Sequence, residues 1–485
     1  MHYRSAMQLA AFAFDYDGTL ATDGCVEPAT LDALTRLKAA GLRLLLVTGR
    51  ELPELQSVFA QHAIFDAIVA ENGGLLFQPG MHEERILAAA PPATLLQALQ
   101  RRRVPLSVGR SILATWKPHE SEVLAAIREC GLEWQIIFNK HSVMCLPPGV
   151  NKASGLTAAL ETLQLSPLNV LAVGDAENDH AMLQLCGYRA AVANAIETLR
   201  READIVTRAD HGAGVVELIE RFLADPPRGI TAAVRRHDVV IGRDGEARTA
   251  VLPPDETVLI AGSAEADRPR LMRLLIERGI EHGFQLCLID PDGHFGSVAG
   301  VTVLGDAHSV PGLSQAQGLL QEPRTQLALN LRGVDSDARP RLLTLITAML
   351  EALYRQRARP HWLLIDEAEQ MLPAASQTAP LGVPGKLPGT VLVSSRPEAL
   401  APQALERVRI VIALGAEAAQ TVSAFCRALQ LPLPSLPAQA PAQGQAWYWA
   451  RGAEGDAQAL RLVQLDEPSQ LQQGERAGRR YTALA

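Results

Sequence analysis

Short unbroken apolar runs recur along the chain, each closed by a small cluster of polar residues. Ala11-Phe12-Ala13-Phe14 ends at Asp15-Tyr16-Asp17-Gly18-Thr19, and Leu42–Val47 ends at Thr48-Gly49-Arg50. Ala67–Ala70 runs into Glu71-Asn72-Gly73-Gly74, and Val170–Val173 into Gly174-Asp175-Ala176-Glu177-Asn178-Asp179. Such runs, bounded by turn signals, predict strands buried on both faces. Between them the apolar spacing turns helical, over Ala29–Ala40 with Gly41 as its C-cap and from Asn151-Lys152 to Leu163. Strand and helix in alternation predict an α/β fold built on a parallel sheet.

The pattern changes between Glu83 and Pro147, where buried runs give way to alternating ones. A helix over Ala93–Arg102, a strand pair turning near Gly109-Arg110, a helix over Glu120–Cys130 and a pair at Trp134–Phe138 and Val143–Leu146 are expected. That is an αββαββ insert, a small antiparallel sheet with helices on one face, placed to act as a lid. The expected domains are therefore a core (1–82 and 148–225), a cap (83–147), a linker (226–234) and a further domain (235–485). Asp225-Pro226-Pro227-Arg228-Gly229 has the composition of that linker.

The polar strand ends carry the chemistry. In an open α/β sheet ligands bind at the carboxyl ends of strands. Asp15 and Asp17 are one residue apart, so on an extended chain they share a face, and two close carboxylates gain from a divalent cation between them. Gly18 permits a sharp turn, and Thr19 offers a hydroxyl and an N–H to an anion. Thr48 with its neighbouring N–H groups can hold a phosphoryl oxygen, and Lys152 adds charge at a helix N-terminus. Asp175 and Asp179 add hard oxygen ligands suited to Mg²⁺, and Asn178 an amide for substrate or for locking a carboxylate. Each motif alone also has a plain reading: an Asp-rich turn, a Thr or Asp helix cap, a solvated surface lysine.

Taken together and in this order, DYDGTL, TGR, NK and GDAENDHAM resemble the haloacid dehalogenase superfamily, and most of all its Cof-type (class IIB) sugar-phosphatase branch, over residues 8–223. The resemblance implies a Rossmann-like core and an aspartyl-phosphate mechanism. Asp15 would be the nucleophile and Asp17 the acid and base, with Thr48 and Lys152 holding the phosphoryl oxygens. Mg²⁺ would sit among Asp15, the carbonyl of Asp17 and Asp175, supported by Asp179. An Asp at the acid/base position implies a phosphatase rather than a dehalogenase. Substrate contacts are expected from Gly18, Thr19, Gly49, Arg50, Asn72 and Asn178, with Arg110, Lys117 and His141 as further candidates on the cap.

The second half opens with another buried run, Thr257–Ala261, leading to Gly262-Ser263-Ala264-Glu265-Ala266-Asp267-Arg268-Pro269 and a helix from Arg270. The arrangement is that of a P-loop, but GxxxxGK[ST] fails, with Asp267, Arg268 and Pro269 at its last three positions. Asp267 would place negative charge by the phosphates, and Pro269 lacks both N–H and hydroxyl. Leu286–Asp290, the strand Trp362–Ile365 with Asp366-Glu367, Thr390–Arg396 and the Arg479–Tyr481 tail resemble the HerA/FtsK class of ATPases. The resemblance implies a second α/β, P-loop-like domain whose nucleotide site, formed by Gly262, Arg268, Asp366 and Glu367, is degenerate. A pseudo-ATPase serving assembly or regulation is the expectation, with homo-oligomerisation through this domain. The Pro/Gly-rich stretch Ala374–Gly389 reads as a loop.

Composition narrows the field. The 485 residues carry a net charge of −8, so no global basic character favours nucleic acid, and the apolar runs are too short to span a bilayer. Six cysteines (25, 130, 145, 186, 287 and 426) lie without CxxC spacing, and no secretory signal is legible, so a cytoplasmic protein with reduced thiols is expected. The function that follows is a Mg²⁺-dependent phosphatase of a small phosphorylated metabolite such as a sugar phosphate. The alternative is a ring-forming or DNA-associated assembly protein with the first half as a regulatory module.

Overall fold

The computed structural model describes residues 8–225, 235–262, 267–296, 298–374, 387, 389–451 and 460–468. The first half opens with β1 (Ala11–Asp15), the small hairpin β2 (Ala21–Thr22) and β3 (Cys25–Val26), then β4 (Arg43–Val47) and β5 (Ala67–Ala70). Next come β6 (Leu75–Gln78) and β7 (Glu83–Ile86), then β8 (Ser107–Val108), β9 (Leu113–Trp116), β10 (Gln135–Asn139) and β11 (Ser142–Leu146). β12 (Val170–Gly174), β13 (Tyr188–Ala191) and β14 (Ile205–Val206) complete it.

Eight strands form one sheet in the order β14-β13-β12-β1-β4-β5-β6-β7, parallel from β14 to β5. β6 and β7 run antiparallel at one edge. β1 is central and buried along its whole length, which explains its lack of alternation. Phe12 and Phe14 face one layer, where Phe222 packs edge-on at 5.3 Å from Phe12, while Ala11 and Ala13 face the other, under the helix Lys152–Thr162. Burying each Phe contributes about 1.5–3 kcal/mol, and the alanines leave room for a helix at close range.

The insert forms its own sheet, β10-β11-β9-β8, covered on one face by the helices Ala93–Arg101 and Glu120–Glu129. Its other face presents Ile112, Met144 and Leu146. One boundary is corrected. β7 hydrogen-bonds to β6 within the core sheet, so the core extends past residue 82 through Ile86, and the insert's regular structure begins at Ala93.

The second half contributes β15 (Val239–Asp244), β16 (Thr249–Leu252), β17 (Thr257–Ala261), β18 (Leu286–Asp290), β19 (Val301–Leu304) and β20 (Gln326–Asn330). β21 (Trp362–Ile365), β22 (Thr390–Ser394), β23 (Val408–Leu414), β24 (Gln445–Ala450) and β25 (Arg461–Leu465) follow. They build an eleven-stranded mixed sheet, β16-β15-β25-β24-β23-β17-β22-β21-β18-β20-β19, whose section from β23 to β19 is parallel. The expected linker 226–234, the Arg479–Tyr481 tail and most of the loop between Ala374 and Gly389 lie outside the described residues. No helix among the described residues is long and apolar enough to cross a membrane.

Buried polar contacts join the two halves. His361, just before β21, accepts a hydrogen bond at Nδ1 from the Gln285 N–H (2.7 Å), so Nε2 carries the proton and donates to Asn169 Oδ1 at 3.0 Å. Arg359, wholly buried, donates to the Gln164 and Gln321 carbonyls at 2.9 Å each. Burial, with the nearby charges of Arg359 and His237, pushes the His361 pKa down to about 3 from 6.5. A pKa lowered by folding stabilises the fold above 6.5, and that contribution is lost as pH falls toward 3. The urea midpoint of the full chain should therefore fall progressively below pH 6.5. His361→Gln should cost about 1–3 kcal/mol at neutral pH and flatten that dependence, as urea titrations at several pH values would show.

Candidate active site

β1, β4, β5 and β12 lie side by side, so their carboxyl ends deliver four polar tips to one place. Asp15 closes β1, and Asp175 and Asp179 follow β12. Carboxylate oxygens of these three buried residues lie within 4.8 Å of one another. Lys152 is the first residue of its helix, whose N-cap, Asn151, forms a reciprocal capping box with Ser154. Its ammonium, wholly buried, contacts Asp15 Oδ1 and reaches Asp179 Oδ1 at 2.6 Å. Asp179 Oδ2 in turn accepts the N–H groups of Asp175 (2.9 Å) and Ala176 (3.0 Å), which locks the turn after β12.

Electrostatics follow from the burial. Desolvation, then the charge of Asp179, raises the Asp15 pKa well above the usual carboxylate range, against the pull of Lys152. Burial and Asp179 likewise raise Asp175. Burial alone would depress Lys152, but the charges of Asp15 and Asp179 override it and keep the ammonium charged. Asp15 Oδ2 is buried with no hydrogen-bond partner among the described residues. An all-oxygen donor set with one orphaned carboxylate oxygen fits a hard divalent cation.

The loop after β1 fits tightly around this cluster. Gly18 adopts φ +87°, and a Cβ there would lie 2.4 Å from Asp175 Oδ2, so glycine is required on both counts. Thr19 donates its hydroxyl to Asp175 Oδ1 at 3.1 Å. Thr48 is buried at the tip of β4, and its Oγ accepts the Arg50 N–H at 3.1 Å, leaving its own hydrogen free to donate. Gly49 is overhung by Met144 of the insert, 3.1 Å from where a Cβ would stand. Asn178 donates to Asn72 Oδ1 (3.0 Å), and Asn72 Nδ2 and Asn178 Oδ1 have no other partner among the described residues.

Two expectations are corrected. The Asp17 carboxylate does not join Asp15, because β1 ends at Asp15 and Arg50 draws Asp17 aside through two 2.7 Å hydrogen bonds. It is absent from the three-carboxylate cluster. Arg50 is committed to Asp17 and to Glu54 (2.6 Å) above the Tyr16 ring, and so does not offer an unpaired cation to substrate. Among the cap candidates, Arg110 pairs with Glu84, and Lys117 stands over the Phe138 ring at 5.5 Å.

A family model of haloacid dehalogenase-like hydrolases matches residues 12–100 and 121–219. Over 225 residues the chain is 33% identical to the phosphoglycolate phosphatase of Methanothermobacter thermautotrophicus, covering 99% of that protein and 44% of this one. The chain belongs to the haloacid dehalogenase-like hydrolases. It is also 32% identical over 222 residues to the phosphoglycolate phosphatase of Haloarcula marismortui, covering 95% of that protein and 43% of this chain. A solved haloacid dehalogenase-like hydrolase from Bacteroides thetaiotaomicron aligns at 19% identity with a TM-score of 0.39, over 44% of this chain and 100% of that one. As a haloacid dehalogenase-like hydrolase, the N-terminal half is a phosphatase.

Four residues of this hydrolase site escape the sequence reading. Glu71, in the left-handed region at φ +52°, accepts the N–H groups of Arg110 (3.0 Å) and Ser111 (2.7 Å) and so ties the insert to the core. Asn194 and His211 grip the Gly18 carbonyl at 2.8 and 2.9 Å. Lys140, on the turn between β10 and β11, contacts Asp175 through its ammonium. An acidic residue at the β5 tip and a cation at a lid hairpin were the only available signals.

In the second half, Arg268 meets Glu367 at 3.1 Å, and Asp290, His294 and Asp366 gather beside them. Asp290 is taken up by the N–H groups of Gly293, His294 and Phe295, at 2.8 to 3.0 Å, and so closes a turn. Gly262, at φ +138°, ends β17 against the Leu414 carbonyl. Asp267 accepts the Gly444 N–H at 3.1 Å.

Replacing Lys152 would leave Asp15 and Asp179 as buried carboxylates without their cation. Lys152→Met should lower unfolding stability by about 3–5 kcal/mol in the absence of divalent ions. Added Mg²⁺ should recover part of the loss, measured by urea denaturation with and without the ion.

Proposed function

We propose that this chain hydrolyses a small phosphate monoester through an aspartyl-phosphate on Asp15, in a Mg²⁺-assisted reaction. The observation that carries the reading is Asp15 itself: buried at the sheet's carboxyl edge, with one oxygen held by Lys152 and the other without a partner among the described residues. When bound, Mg²⁺ supplies positive charge that offsets the repulsion between an anionic nucleophile and an anionic phosphate. Asp15, Asp175 and the backbone after β1 would hold it, with Asp179 fixing Asp175 and Lys152.

The steps belong to the side chains. An Asp15 oxygen attacks phosphorus, the bond to the leaving oxygen breaks, and Asp17 gives that oxygen a proton. Asp17 then takes a proton from the water that cleaves the acyl phosphate. Since Arg50 holds both Asp17 oxygens, it must release one before Asp17 carries a proton. The Thr48 hydroxyl and the Lys152 ammonium steady the phosphoryl oxygens, and the insert, pinned by Glu71, excludes water. Relatives that are phosphoglycolate phosphatases make phosphorylated hydroxy acids the first substrates to test, ahead of sugar phosphates.

For the second half we propose a nucleotide-like fold without ATP hydrolysis. Supporting this, Arg268 is spent on Glu367, and the cavity beside Asp366 and Glu367 has a volume of about 80 Å³. Ligand pockets usually enclose about 300–1,000 Å³.

Asp15→Asn should abolish turnover of phosphate monoesters, by more than about a thousandfold, while the fold survives. Phosphate release by wild type and variant at saturating Mg²⁺, alongside circular dichroism, checks it. Calorimetry of the full chain with ATP should show no binding at the second half. Retained turnover in the variant would defeat the nucleophile assignment, and ATP hydrolysis the second reading.

A further inference from the structure

The acidic cluster has a cation that no strand of the core supplies. Lys140 sits at the tip of the β10–β11 hairpin, in the left-handed region at φ +52°, and its N–H reaches Glu177 at 3.2 Å. Its ammonium, half-exposed, contacts Asp175 Oδ2. The hairpin thus leans over the turn after β12 and inserts a charge through the open side of the site. At the far end of the insert Glu71 anchors Arg110 and Ser111, so Lys140 is brought in by a lid already tied down.

We propose that Lys140 is an exchangeable cation of the lid: it neutralises Asp175 in the empty site and binds a carboxylate carried by the substrate's leaving alcohol once a divalent ion is present. This inference rests on the phosphatase reading above. Its basis is charge. With all three ionised, Asp15, Asp175 and Asp179 would set three negative charges against the two positive charges of Lys152 and Lys140. A divalent ion shared by Asp15 and Asp175 would face the Lys140 ammonium as a like charge at short range, and the ammonium must leave Asp175. Its stem is half in solvent, so it can swing, but the hairpin keeps it beside the acidic cluster. There it would be an unpaired cation until substrate brings an anion beside the ester. A carboxylate one carbon from the phosphate ester satisfies it, and a leaving alcohol without an anionic substituent does not.

Two measurements on the full-length protein test this. Lys140→Ala should lower kcat/KM for phosphoglycolate about 100-fold, mainly through KM, as expected for loss of a close charge pair. At saturating Mg²⁺ the loss for p-nitrophenyl phosphate, which carries no carboxylate, should be at least about tenfold smaller, and Lys140→Arg should restore most of the phosphoglycolate activity because the charge returns. In calorimetric titrations without substrate, Lys140→Ala should bind Mg²⁺ about tenfold more tightly, because no ammonium competes for Asp175. Equal losses on both esters, or none on either, would overturn the recognition role. Unchanged Mg²⁺ affinity would overturn the exchange. If the wild type cleaves neither ester, the phosphatase reading fails, and the Mg²⁺ titration still decides whether Lys140 competes for Asp175.

Discussion

One ammonium group holds the first half of the molecule in working order. Lys152 is completely buried and bridges Asp15, at the end of β1, to Asp179, beyond β12. Burying a lysine or a carboxylate singly costs several kcal/mol, so neither partner would be tolerated there alone. Lys152 also stands at the N-terminus of a helix, where the dipole disfavours a cation. The two carboxylates offset this, which makes the strand tips and the helix start mutually dependent. Three carboxylates lie around this one buried ammonium, and their oxygens are what such a cluster can offer a metal ion.

The rest of the site consists of ways to keep that cluster narrow. Gly18 lets the chain turn within contact distance of Asp175, and Asn194 and His211 hold its carbonyl in place. Thr19 and the N–H groups of Asp175 and Ala176 satisfy the outer carboxylate oxygens. Among the described residues, the buried side-chain atoms of the site left without a hydrogen-bond partner are Asp15 Oδ2, Asn72 Nδ2 and Asn178 Oδ1. In a low-dielectric interior such orphans are expensive, and they are the atoms of the candidate site still free to bond a ligand.

Much of this was legible because it depends on local pattern. A buried strand ending in a polar tip can be read from a handful of residues, and the tips at Asp15, Thr48 and Asp175 stand where the apolar runs stop. The αββαββ order of the insert was readable for the same reason. What escaped depends on distance. Glu71 acts on backbone groups 39 and 40 positions away, and Lys140 on a carboxylate 35 positions away, so neither leaves a spacing signal. Asp17 was misplaced because the alternation rule was carried beyond the strand's end, and a long Arg side chain then decided its direction. The cap boundary slipped because β7 is exposed along its length, and nothing in its sequence pattern distinguishes a sheet edge from an insert.

The second half is coupled to the first through the same helix that carries Lys152. Its C-terminal carbonyls at Leu163 and Gln164 receive Arg357 and Arg359, at 2.7 and 2.9 Å, from the segment that leads into β21. Cations at a helix C-terminus are favourable, and here they come from the other half of the chain. One helix of 11 residues, roughly 16 Å long by its rise per residue, thus begins in the acidic cluster and ends in the joint between the halves. The neighbouring His361–Asn169 bond fixes the loop just before β12, whose far end bears Asp175. Two elements of the candidate site are therefore held from behind by the second half, which gives that half a structural part in the site whatever else it does.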